Sequence, residues 1–343
     1  MIKVVAKIYD VAKAAGVSVG TVSRVFNGYT DISRATKKRV LKVAKELGYT
    51  PNVAARTLSS KSLKTIAFIM NDLVGSRYDG VSMQTIMGVY HYAETHEMQF
   101  VLYPTTTQQQ RAKTFAQFCE ERNINGAVVQ GLHVDDPYVA QIAEAALPVV
   151  TIDLAIPGPR TGAVSIDNTA AEKAVTQLLL NRGRRHLLMV NGRQNAQVSV
   201  VREAGFKAAL AGAGMTADTR RILYADYDMK LAGEQVAAAL TADPAIDGIV
   251  CASDAMALGA LNVLKARQLR VPADVALAGF DNTALAEFVD PALTTVEQHM
   301  DIMGYNAAEL VNKLLQRDMP TAQRQIFSPY EVIERASTGG QAK

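Results

Sequence analysis

The stretch SVGTVSRVF, residues 18–26, sets Val19, Gly20, Thr21, Ser23 and Arg24 outward on a short helix whose Val22 and Val25 face inward. Hydroxyls near a helix N-terminus suit phosphate oxygens. An arginine fork can donate two parallel bonds to O6 and N7 of guanine, about 1–3 kcal/mol of discrimination. A second set of polar residues follows short apolar runs. Asn71 and Asp72 follow TIAFIM, Gln130 follows GAVV, and Asp153 follows VVTI. Ser253 and Asp254 follow GIVCA, and Asp281 follows VALAGF. Such groups are helix caps or hydrogen-bonding groups for a small polar ligand, and Asp254 and Asn282 read first as caps. Acid–base chemistry by the carboxylates is conceivable. However, no G-x-G-x-x-G follows the first strand, and neither G-x-x-x-x-G-K-[ST] nor G-x-S-x-G occurs. No C-x-x-C or H-E-x-x-H is present, and the five histidines are scattered, so neither metal nor cofactor is expected. Cys119 and Cys251 read as buried free thiols.

The helix bearing Arg24 needs a frame. Ile8, Val11, Ala12 and Ala15 share one helical face, and Gly16 ends that helix. Ser18 then caps the second helix, giving helix, short Gly-containing turn, helix. A third follows Ser33 with Val40, Val43, Ala44 and Leu47 at i, i+3, i+4 and i+7, and Gly48 ends it. Charge gathers here: twelve Lys and Arg against Asp10, Asp31 and Glu46 leave +9 on residues 1–61, so the remainder carries about −6 of the total +3. A basic head on a mildly acidic body points to a polyanion partner.

The stretch YDVAKAAGVSVGTVSRVFNG resembles the DNA-binding head of the lac/gal repressor family in its spacing, glycine turn, TVSRV core and trailing Asn-Gly. The resemblance implies that Val19, Gly20 and Arg24 face bases. It also implies that Tyr9, Ser18, Thr21, Ser23, Asn27, Ser33 and Thr36 sit near phosphates. Val19 and Gly20 depart from the best-known members, offering apolar contact or close approach in place of side-chain hydrogen bonds. By itself PNVAARTLSSKS reads as a flexible linker, because a helix of some eight residues is marginal in water. The family likeness makes it a hinge helix that orders when two copies meet in the minor groove. Leu58 would then be the wedge at the central step, and Asn52, Ala55 and Arg56 would line the groove.

From residue 65 short apolar runs alternate with amphipathic stretches. TIAFIM, QFVLY, GAVVQ and PVVTID form one series, with helices near 81–97, 108–122 and 136–146. AVSI, HLLMV, ILYA, GIVCA and VALAGF form a second, with helices near 168–182, 199–213, 230–241 and 254–266. This pattern predicts parallel sheets covered on both faces, in two doubly wound lobes. The fold class is thus multi-domain: an all-α helix-turn-helix head and a two-lobed α/β core. The expected bounds are 1–50 for the head, 51–62 for the hinge and 63–343 for the core. Lobe 1 takes about 63–163 and 293–325, and lobe 2 about 164–290 and 326–338, with crossovers near 162–164 and 290–293. The helix near 299–317 returns to lobe 1. The tail FSPYEVIER is expected to return there with it, although residues 326–338 are counted with lobe 2. Ligands of open α/β sheets bind beyond the carboxyl ends of the strands, so the strand-end residues predict one cleft between the lobes.

The body is similar to the periplasmic-sugar-binding-protein-like core of the same family through SVVREAGF, CASDAMALGA, VPADVALAGFDN and PALTTVEQ. This likeness implies that Arg202 and Asp281 grip an effector, and an arginine fork and a carboxylate can each hold two adjacent hydroxyls. Asn71, Gln130, Asp153, Ser253 and Gln298 match further cleft positions. Tyr227 is the candidate aromatic platform, with Tyr78 and Phe68 behind it. The implied function is a ligand-responsive DNA-binding transcriptional regulator acting on a palindromic operator, most simply a repressor of carbohydrate-utilisation genes. The effector would be a sugar or related polyol, with a nucleoside or purine as the alternative. A homodimer is expected, since no leucine-heptad tail follows, and Met83, Met87 and Tyr90 fit its apolar face or ordinary core. The absence of a signal peptide and of any membrane span predicts a reducing, bacterial cytoplasm. A solute-binding protein would leave the basic head without a purpose, and an enzyme would leave the gripping residues without a reactive partner.

Overall fold

The computed structural model describes residues 6–26, 29, 31–49, 64–71, 81–316 and 319–339. The chain divides into two compact units, Met1–Lys64 and Thr65–Lys343.

The first unit holds α1 (Ile8–Ala15), α2 (Val19–Phe26) and α3 (Arg34–Glu46) around a small core of Val11, Ala12, Ala15, Val22, Val25, Val40 and Ala44. Gly16 takes a left-handed φ of 61° where α1 turns into α2. Two serines start the next helices. Ser18 Oγ accepts from Thr21 N at 3.1 Å, and Ser33 Oγ from Thr36 N at 3.2 Å. Leu47 does not join the core as its spacing suggested, being 42% exposed. The chain folds back through Tyr49 N to Ala44 O, and the Tyr49 ring packs edge-on against Phe26 at 5.6 Å instead.

The second unit carries two parallel sheets. The first comprises β1 (Thr65–Asn71), β2 (Gln99–Thr105), β3 (Gly126–Gln130), β4 (Val149–Ile152), β5 (Thr161–Ser165) and β11 (Gln325–Phe327), in the order β11-β5-β4-β3-β1-β2. The second comprises β6 (Leu187–Asn191), β7 (Ile222–Tyr224), β8 (Gly248–Cys251) and β9 (Ala276–Ala278), in the order β7-β6-β8-β9. Helices cover the faces: α4 (Val81–Thr95), α5 (Thr107–Ala112), α6 (Phe115–Glu120) and α7 (Pro137–Ala143) belong to the first lobe. In the second lobe are α8 (Asn168–Asn181), α9 (Gln197–Gly212), α10 (Met229–Ala242), α11 (Asp254–Ala266) and α12 (Ala284–Phe288). β10 (Thr295–Glu297) and β12 (Glu331–Ile333) form an antiparallel pair, and α13 (Met300–Gln316) packs along α4.

Three sequence expectations need correction. AVSI is part of β5 and pairs with β4 and β11, so it lies in the first sheet and the chain crosses after it. Apolar strands of both lobes have the same composition, and only their pairing partners set membership. The stretch 108–122 is two helices, because Lys113 is extended and Thr114 caps a new one with Gln117. The tail follows β11 into β12 and ends in the second lobe, where Ser337 donates to Leu277 O of β9 and accepts from Thr294 N.

Candidate effector cleft and DNA-reading helix

α2 leaves Gly20 and Arg24 exposed and Val19, Thr21 and Ser23 half-buried. Val19 also packs against the head core, so it serves the fold as well as the surface. Arg24 pairs with Asp31 at 3.0 Å and lies over the Tyr29 ring at 5.6 Å. Both partners of that pair are more than half exposed, so it holds the fork by about 0–1 kcal/mol. Tyr9 is exposed, and the hydroxyls of Ser18 and Ser33 each meet the threonine that they cap, Thr21 and Thr36, at 2.9 Å. Asn27, Asn52, Ala55, Arg56, Leu58 and the fallback Tyr78 lie outside the described residues. The other fallback, Phe68, is wholly buried in the core of the first lobe.

In the second unit the buried Arg202, on α9, is a fixed hydrogen-bonding head. Its Nε donates to Asn168 Oδ1 at 2.8 Å, Nη1 to Ala252 O at 2.7 Å, and Nη2 to Gln298 Oε1 at 3.2 Å. The guanidinium carbon sits 3.6 Å from the Phe280 ring centroid. These bonds use three of the five N–H groups that an arginine has, leaving two for a ligand. Gln298, itself buried, passes the contact on: its Nε2 donates to Asp281 Oδ1 at 2.6 Å. Asp281, Asp153 and Tyr227 stand at strand ends or just beyond, with positive φ of 111°, 57° and 60°. Non-glycine residues held there store strain of order 1–3 kcal/mol each, and such strain clusters at binding sites.

The first lobe contributes Asp153, whose Oδ1 accepts from Ser165 Oγ at 2.5 Å and Asn168 Nδ2 at 3.3 Å. Burial pushes its carboxyl above the ordinary range, while Ser165, Arg202 and Asn168 pull the other way. Burial likewise raises the Tyr227 phenol, with Arg202 opposing and Asp281 and Asp153 adding to it. Tyr227 therefore lies within the field of all three charged cleft residues. Its hydroxyl shares a 3.1 Å hydrogen bond with Ser199. Gln130, at the end of β3, has a buried Oε1 without a hydrogen-bond partner among the described residues.

Two expected cleft residues are otherwise engaged. Asn71 is buried, with Nδ2 donating to Gly131 O and Asp136 Oδ2 and Oδ1 accepting from Gln110. Ser253 is the cap of α11, accepting from Met256 N at 3.2 Å. Asp254 is accordingly not a cap. Its carboxylate accepts from Thr283 N and Oγ1 and from Thr295 Oγ1, and burial raises its carboxyl to about 6. Asn282 also ties rather than caps, bonding Glu297 and Arg335. The sequence reading missed Asn168, which holds both Arg202 and Asp153, and Phe280, which backs the guanidinium. Asn168 stands just past AVSI, so the strand-end argument would have found it once that strand was placed in the first sheet.

Among the described residues no helix is long and apolar enough to cross a membrane, and no metal-holding group of His, Cys, Asp and Glu is found. Cys119 and Cys251 are buried and unbonded, and burial pushes the Cys119 thiol up to about 12.

Residues 7–52 match the family "Bacterial regulatory proteins, lacI family", and residues 176–338 match the "Periplasmic binding protein-like domain". The HTH-type transcriptional regulator CelR of Thermobifida fusca is 34% identical over 308 residues, covering 88% of this chain and 89% of that protein. The chain belongs to the LacI family. Like its relatives it is a helix-turn-helix, DNA-binding transcriptional regulator. Catabolite control protein A of Priestia megaterium is 29% identical over 96% of this chain and 98% of its own. A solved CelR–cellobiose complex aligns with a TM-score of 0.72 at 29% identity, over 97% of this chain and 99% of that one. The lac repressor dimer bound to operator and the anti-inducer ONPF aligns at 0.84 and 22% identity over 97% and 99%, a likeness of fold. Both the head and the two-lobed core of this LacI-family chain thus follow a known architecture.

Proposed function

We propose that this LacI-family regulator is a sugar-responsive repressor whose effector sits between the lobes, gripped by Arg202 and Asp281. The observation carrying this reading is the hydrogen-bonded chain Arg202–Gln298–Asp281, which joins α9 to the segments just beyond β10 and β9. A buried fork with two N–H groups to give, beside a carboxylate, matches the donors and acceptors of vicinal hydroxyls. Each charge-assisted bond adds about 1.5–3 kcal/mol. Tyr227 supplies the flat apolar face, and Asp153 and Gln130 close the site from the first lobe. These groups bind; nothing in the arrangement asks for turnover.

On the DNA side, two heads of a homodimer would enter successive major grooves of a palindromic operator. Residues 51–62 would act as the minor-groove hinge with Leu58 as wedge. Met87 and Tyr90 on α4, with Leu285 and Phe288 around α12, are exposed apolar residues suited to the dimer contact. The effector shifts operator affinity because it favours one lobe arrangement over another, and such coupling is typically 1–3 kcal/mol.

The test is a thermal-shift screen of the full chain against cellobiose, other sugars, sugar acids, nucleosides and free bases. A ligand at about 100 times its Kd adds about 2.7 kcal/mol. A sugar hit that vanishes in Asp281→Ala supports the proposal. A hit from the nucleoside or base arm alone replaces it with the purine reading.

A further inference from the structure

The loop after β3 and the loop after β6 are hydrogen-bonded to each other across the two lobes. Val134 N donates to Asn195 O at 3.0 Å, and Asn195 Nδ2 donates to Asp135 Oδ1 at 3.0 Å. Arg193 Nη1 meets His133 Nε2 at 2.9 Å. A guanidinium has only donors, so Nε2 must accept and the imidazole must be neutral with its proton on Nδ1. Nδ1 faces Asp136 Oδ2 at 3.5 Å. Asp136 is buried and anchored in the first lobe, accepting from His133 N at 2.8 Å, Asn71 Nδ2 at 3.2 Å and Thr107 Oγ1 at 2.5 Å. His133 is therefore fixed to one lobe and Arg193 reaches it from the other.

We propose that these residues form a latch that holds the lobes together before any effector arrives, and that the latch is set only while His133 is neutral. Protonation places a donor on Nε2 opposite the donors of Arg193 and sets two positive charges against each other. Among the described residues Asp136 is the charged group beside the ring on its own loop, and Asp135 accepts from Asn195. The groups that β1 and α5 bring to Asp136, Asn71 and Thr107, are neutral. Asp136 attracts the imidazolium and keeps it in place, so the new charge stays turned toward Arg193 instead of swinging away. A histidine ordinarily changes charge between pH 5 and 8. The latch is thus engaged while Nε2 accepts from Arg193 and released when the ring gains a second proton. Resting on the proposed cleft reading, the consequence is an effector affinity scaled by the latched fraction.

The test needs no sugar, so its failure and the failure of the effector reading are separable. Amide hydrogen exchange of the segment containing Val134 is measured on the unliganded full chain at pH 5.5 and 7.5, corrected for intrinsic rates. Wild type should exchange about tenfold more slowly at pH 7.5, the scale of one lost hydrogen bond. His133→Gln, which keeps an acceptor and cannot titrate, should stay protected equally at both pH values. Arg193→Ala should be unprotected at both. Absence of protection in wild type at pH 7.5, equal protection at both pH values, or a pH response that survives in His133→Gln would each overturn the latch.

Discussion

The Tyr227 ring lies directly over the backbone of Gly192: a β-carbon on residue 192 would fall 2.1 Å from the ring Cζ and 2.3 Å from Cε2. No real side chain tolerates that approach, so Gly192 is what lets the ring lie flat there. Gly192→Ala should therefore push the ring aside while leaving the second lobe folded. Overpacking of this kind costs about 1–3 kcal/mol. Effector affinity should drop about tenfold, read as a smaller ligand-induced shift in the thermal midpoint, with Tyr227→Ala giving a loss of the same order. Unchanged affinity in both variants would remove Tyr227 from the site.

Gln298 holds Arg202 and Asp281 in register, and its position predicts a larger effect than its neutrality suggests. Gln298→Met keeps the volume and deletes both hydrogen bonds. Groups of opposite charge then lose their spacer in a buried setting, at a cost of about 1–3 kcal/mol for each partner left short. The expected result is a Kd raised at least tenfold with the operator affinity of the unliganded protein unchanged. A Kd within twofold of wild type would show that the effector does not use this chain of bonds.

Glu172 is wholly buried on α8, and its Oε2 has no hydrogen-bond partner among the described residues. Burial raises its carboxyl from 4.5 to about 7, with Arg202 and Thr176 opposing. The folded state therefore holds the proton more tightly than the unfolded chain. Its stabilising contribution is complete below about pH 4.5 and is lost as pH rises through about 7. The full difference is of order 3 kcal/mol. Glu172→Gln mimics the protonated form, so its midpoint should exceed that of wild type by a few degrees at pH 8 and match it at pH 5. Equal midpoints at pH 8 would mean that the carboxylate is solvated or paired when ionised.

The head was legible because its information is local: the glycine turn, the Ser18 and Ser33 caps and the helical spacing all lie within a few residues of one another. The strand-end rule likewise put Asp153 and Asp281 just beyond their strands, where the structure has them. What it could not show is partnership. Ser253 looks the same whether it caps α11 or faces a ligand, and only its bond to Met256 N decides. Gln298 was named, yet its role as the spacer between Arg202 and Asp281 needs residues 96 and 17 positions away. Gly192 carries no sequence signal at all, since its necessity comes from a ring 35 positions later in the chain.

Gly20 separates folding from DNA reading. It lies exposed on α2, and a β-carbon there would meet only Ser18 Oγ, at an ordinary 3.6 Å. The fold therefore has room for alanine, which is about 1 kcal/mol better than glycine inside a helix. Gly20→Ala should raise the stability of the head slightly. If Gly20 gives close approach to the major groove, the same change should weaken operator binding about tenfold or alter the preferred sequence. The readout is a binding titration on a palindromic operator across 50–200 mM salt. The methyl group removes a base contact and leaves the phosphate contacts in place. The log–log salt slope, about −0.9 per phosphate neutralised, should therefore match that of wild type. Loss of affinity with a shallower slope would mean instead that the helix has been lifted off the backbone. Full affinity with an unchanged sequence preference would place Gly20 away from the bases and leave Arg24 as the principal reader on α2.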